Sequence, residues 1–187
     1  AATAYDFRGV VSADLATTLT YTNTGTLASE TVANWGSIDT VAVATGQTLT
    51  LTAAQASGKT ITGIGSGSII VSLDGSAGLD FDNITLADGG GGSFTATVTT
   101  GTVTLASDAN LGALVTTVSV GAKLVLTAAQ ASGKTFLGAG TVEVTDLHSD
   151  LDANLSAVGT AASTTYNNIQ GNITQNDQIT LNYNGAG

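Results

Sequence analysis

Apolar and polar residues alternate along the chain over very short stretches. Val41 and Val43, Leu49 and Leu51, Ile69 and Val71, and Phe94, Ala96 and Val98 each set every second side chain on one face, and Ile61 adds a single apolar position. Period two is the signature of a strand with one buried face. Gly and Ser turns separate these runs. Thr52 to Gly58 and Thr127 to Gly133 each offer a hydroxyl N-cap, Ala-Ala-Gln-Ala and a closing Gly, which predicts one helical turn. Asp14 to Leu19, Asp108 to Leu114 and Asp152 to Val158 also read as capped single turns. The Gly89 to Gly92 run and the polar segment Ser163 to Asn176 read as loops. Ile179, Leu181 and Tyr183 alternate as a last strand.

An internal repeat organises these elements. Residues 46 to 60, ending Leu-Thr-Ala-Ala-Gln-Ala-Ser-Gly-Lys-Thr, return as residues 121 to 135, and the first copy carries two extra residues downstream. Asn34-Trp35-Gly36 matches Asn110-Leu111-Gly112, so Trp35 reads as a core residue. The expectation is a single β-rich domain spanning 1–187, with related units at about 34–105 and 110–151 and the start of a third at 152–187. The fold class is all-β: a short-strand, right-handed parallel β-helix or solenoid with single helical turns, and a β-sandwich as the alternative. Unequal coil lengths count against the solenoid.

Composition narrows the function. Acidic residues number 14 against 4 basic and 1 His, a net charge of −10, which argues against nucleic-acid or anionic-membrane partners. Only 10% of residues are charged, so hydroxyl and amide side chains must carry much of the solvation. Without Cys there is no disulfide framework or thiolate site. No run approaches the length of a membrane span. The opening Ala1-Ala2-Thr3-Ala4 reads as a processed export terminus or a cut from a longer chain.

Candidate chemistry is sparse. Ala53 to Thr60 and Ala128 to Thr135 end in Gly-Lys-Thr after a strand, but Ala replaces the first Gly of a phosphate loop and no helix follows. Asp146, His148, Asp150, Asp152 and Asn154 put five polar groups at alternate positions, so Asp146, Asp150, Asp152 and Asn154 are candidate calcium ligands. The competing reading is a set of helix caps and a solvated acidic face. Asp80, Asp82 and Asp88 form a second acidic group, with Asp80 and Asp82 a conceivable acid/base pair. His148 is the one imidazole and no nucleophile signature accompanies it, so the expectation is a protein without enzymatic activity. Thr48-x-Thr50-x-Thr52 and Thr95-x-Thr97-x-Thr99 could form hydroxyl surfaces for water or glycan. Asn83, Asn154 and Asn172 head chance glycosylation sequons.

In its duplicated blocks, Leu49 to Thr60 and Leu124 to Thr135, the chain resembles the long secreted β-repeat proteins of bacteria, of adhesin and surface-layer type. The resemblance implies an extracellular, cell-surface structural protein that self-assembles into a filament or layer. The terminal segments supply the candidate contacts, Tyr5, Phe7 and Val10 at one end and Ile179, Leu181 and Tyr183 at the other. The alternative is a carbohydrate- or surface-binding adhesin module with glycan as partner.

Overall fold

In a computed structural model, residues 18–21, 25–26, 40–86, 91–147, 154–155, 157–158, 163–166 and 180–181 are described. The chain is all-β, with parallel strands stacked as a β-solenoid of about five turns and 8% helix. Strand pairs in all three sheets run parallel. Sandwiches are typically built from antiparallel sheets, so the alternative gives way. Contacts divide the chain into two compact units. One runs to Ser72 and takes in Leu79–Thr95 and Leu111–Ala113; the other holds Leu73–Gly78, Ala96–Asn110 and the chain from Leu114 onward.

The first unit contains β1 (Thr18–Tyr21), β2 (Gly25–Thr26), β3 (Thr40–Val43), β4 (Thr48–Thr52), α1 (Ala53–Ala56), β5 (Thr60–Gly63), β6 (Ser68–Ser72) and β7 (Ile84–Leu86). One ladder runs β1-β3-β5-β7. A second pairs β4 with both β2 and β6. Thr40 pairs with Thr60 and Thr48 with Ser68, so both ladders advance by the same length of chain across this coil. The alternation seen in the sequence becomes the inside and outside of the coil. Val41, Ile61 and Ile84 stand in register and buried, as do Leu49 beside Ile69 and Leu51 beside Val71. Full burial of one such side chain contributes about 2 kcal/mol. The outward positions are mostly Thr and Ser, which leaves these parallel strands apolar on one face alone.

From β8 (Phe94–Val98) the chain enters the second unit. That unit contains β9 (Thr102–Thr104), β10 (Val115–Val118), β11 (Lys123–Thr127), α2 (Ala128–Ala131), β12 (Thr135–Leu137), β13 (Thr141–Thr145), β14 (Ser163–Tyr166) and β15 (Thr180–Leu181). Its long ladder runs β9-β11-β13-β14-β15, and β10 pairs with β12. Leu124 is buried between Val103 and Val142, and Leu126 stands beside Val144. Lys123 and Glu143 form an ion pair on the outer face. Thr116, fully buried beside Phe136, has no hydrogen-bond partner for its hydroxyl.

Three expectations need correction. Ser163–Tyr166 is strand β14, because backbone pairing to β13 in register Thr141 with Ser163 outweighs the polar composition that suggested a loop. Thr18 and Leu19 belong to β1, so a helical turn does not extend to Leu19. Residues 108 to 114 form tight turns with no helix. Coil length does vary. The shorter coils pair Lys123 with Thr141 and the longer ones Ile61 with Ile84, and the solenoid absorbs the variation outside its strands.

Candidate functional site

The duplicated block builds a structural corner. After β4, Thr52 stays extended and caps α1: Gln55 N–H donates to Thr52 Oγ1 (3.2 Å) and Thr52 N–H donates to Gln55 Oε1 (2.9 Å). Thr127 and Gln130 repeat this at 3.2 and 3.0 Å. Such a reciprocal box satisfies two donors that a helix start leaves open. The caps that close the turns are Ser57 and Ser132, not the glycines. Gly58 and Gly133 follow at φ of +67 and +68, where a residue without Cβ is unstrained.

Each corner then locks onto a neighbouring coil. Asp80 N–H donates to Ser57 Oγ (2.9 Å) and Gly58 N–H to the Asp80 carbonyl (2.8 Å). In the second unit Asn154 N–H donates to Ser132 Oγ (2.9 Å) and Gly133 N–H to the Asn154 carbonyl (2.8 Å). Gln130 adds a clamp, its Nε2 donating to the carbonyls of Ala106 (2.6 Å) and Ala109 (3.1 Å). The block Thr-Ala-Ala-Gln-Ala-Ser-Gly thus serves coil stacking. The Gln role escapes a reading of caps by Thr and Gly alone; the signal for it was the Thr-x-x-Gln spacing, present in both copies.

Asp80 Oδ1 accepts the Asp82 N–H (3.1 Å), and both residues are exposed, so Asp80 works as a local turn former. Asp88 lies outside the described residues. Of the candidate calcium ligands, Asp146 follows β13 at φ +54 and is exposed, and Asn154 is exposed while its backbone fixes the Ser132 corner. Asp150 and Asp152, like His148, lie outside the described residues. Among the described residues no three His, Cys, Asp or Glu side chains group as metal ligands.

Of the candidate self-association residues, Leu181 lies in β15, whose Thr180 and Leu181 pair with Thr165 and Tyr166. Tyr5, Phe7, Val10, Ile179 and Tyr183 lie outside the described residues, as does Trp35. Leu111, which matches Trp35 in the repeat, is buried at 2% exposure. No helix among the described residues is long and apolar enough to cross a membrane. Comparison with known protein families, curated proteins and solved structures returns no match.

Proposed function

We propose that the protein is an extracellular, cell-surface structural module that self-assembles into a filament or layer by adding strands at the ends of its ladders. The observation that carries this reading is the ladder itself. Successive coils bind through parallel backbone pairing, and each ladder ends in a strand paired on one edge: β1 pairs with β3 and β15 with β14 among the described residues. An edge strand presents N–H and C=O groups to a further strand, and strand addition needs no dedicated side-chain chemistry. The near absence of ionic side chains on the strands also keeps like-charge repulsion low between copies of a chain of net charge −10.

The test is negative-stain microscopy with light scattering on the purified chain, with calcium and with chelator. Ordered filaments or sheets are expected, and Thr180→Pro, which bars regular pairing at β15, should reduce particle size, with a melt of the variant monomer separating lost docking from lost folding. Deletion of residues 1–11 examines the other end. Loss of order in chelator would identify calcium, through Asp146, Asp150, Asp152 and Asn154, as an assembly ion. Monomers in every condition that bind a glycan array would replace this reading with the adhesin module, which the hydroxyl-bearing outer faces favour.

A further inference from the structure

In the first unit the strands of the β1-β3-β5-β7 ladder carry no charged residue: Thr-Leu-Thr-Tyr, Thr-Val-Ala-Val, Thr-Ile-Thr-Gly and Ile-Thr-Leu. In a chain with 14 acidic residues this makes a neutral face. Its outward positions form two rows in register. One passes through Thr40 and Thr60 to Asn83, whose carbonyl takes the Ile61 N–H at 3.1 Å. The other holds Thr20, Thr62 and Thr85, with the buried Ala42 (7% exposed) standing between Thr20 and Thr62. Thr20, Thr60, Asn83 and Thr85 are exposed, Thr40 and Thr62 half-buried, and the Thr62 and Thr85 hydroxyl oxygens stand 3.4 Å apart.

The coil from Thr40 to Thr60 is shorter than the one from Ile61 to Ile84, yet the strand register is undisturbed, because backbone pairing, not residue count, sets the rise from coil to coil. Neighbouring rungs are about 4.8 Å apart, and alternate residues along a strand about 6.6 Å apart. Threonine is stiff at χ1, so methyl and hydroxyl groups hold fixed positions with little entropy left to lose on contact.

We infer that this face binds ice: the neutral, rigid grid of hydroxyls and methyls orders water into a layer that merges with an ice surface. The occupant follows from the charge and spacing on the face. A neutral lattice of hydrogen-bond donors and acceptors with a short two-dimensional repeat complements it, whereas an ionic ligand finds no counter-charge on the strands themselves. This inference stands apart from self-assembly, since it uses the outward side chains of one ladder and not the ladder ends.

The experiment is ice recrystallisation inhibition and ice-affinity partitioning with the full chain, beside Thr60→Lys, Thr62→Lys and, as a control in the other unit, Thr104→Lys, an exposed position in β9. Circular dichroism melts verify that each variant is folded. Wild type and Thr104→Lys should inhibit recrystallisation and enter the ice fraction, and the Thr60 and Thr62 variants should lose both. Inactive wild type, equal activity of all folded variants, or retention on crystalline chitin or cellulose with no activity on ice would each overturn the inference.

Discussion

The two copies of the repeated block fold the same elements but close their coils differently. In the first unit Thr48 pairs with Ser68, and in the second the matching pair is Lys123 with Thr141, so the first coil is the longer. The two extra residues lie in the turn between the strands, Gly63 to Gly67 against Gly138 to Gly140. In the longer turn Ile64 N–H donates to the Val43 carbonyl (2.8 Å), and in the shorter one Gly140 N–H donates to the Val118 carbonyl (3.0 Å). Val43 and Val118 occupy equivalent places in the two copies. A turn of either length therefore reaches the same carbonyl of the preceding coil, provided glycine lets the two backbones approach. The stacked strands are the invariant, and the turn adapts to them.

If the cores are equivalent, Leu49→Ala and Leu124→Ala should each cost about 4 kcal/mol in urea unfolding, since both side chains are fully buried. A clear inequality would break the comparison and show that one unit tolerates a cavity that the other does not. Next come the turn glycines. A Cβ on Gly67 would lie 2.2 Å from the Val43 carbonyl oxygen, and one on Gly138, at φ +99, 2.2 Å from that of Val118. Gly67→Ala and Gly138→Ala should each cost about 3 kcal/mol, through backbone displacement. Gly46→Ala and Gly121→Ala meet nothing within 4 Å, so they should lose only about 1 kcal/mol to their positive φ.

Gln130→Ala removes a capping-box acceptor and two donors to the neighbouring coil, and should lower stability by about 2 kcal/mol in the same assay. The smallest effect has the opposite sign. Thr116 occupies in the second unit the place that Val41 fills in the first, and its buried hydroxyl lacks a partner. Thr116→Val should stabilise by about 1 kcal/mol, and a loss instead would reveal a polar contact to that hydroxyl.

Much of the fold was legible because burial follows a period of two. Val41, Leu49, Leu51, Ile61, Ile69, Val71, Phe94, Ala96 and Val98, all read as inward from alternation, are buried at 5% exposure or less. Ser163–Tyr166 was not legible, since its strand character comes from pairing with β13, and a local pattern of hydroxyl residues carries no record of a distant partner. The same holds for Asp80. Its spacing to Asp82 suggested paired acids, while its backbone is tied to Ser57 and Gly58 of the preceding coil.

By itself the sequence determined the strand faces, the capped Ala-Ala-Gln-Ala turns and the duplication, all of which can be read by comparing one stretch of chain with itself or with its copy. The parallel solenoid was the leading expectation from the sequence, and tertiary structure decided it against the β-sandwich. Tertiary structure alone decided which Thr stands beside which and that coils of unequal length share one ladder. The reason is that inter-coil register is set by backbone hydrogen bonds between residues a whole coil apart in the chain. Those bonds use groups common to every residue, so side-chain order leaves their pairing unwritten.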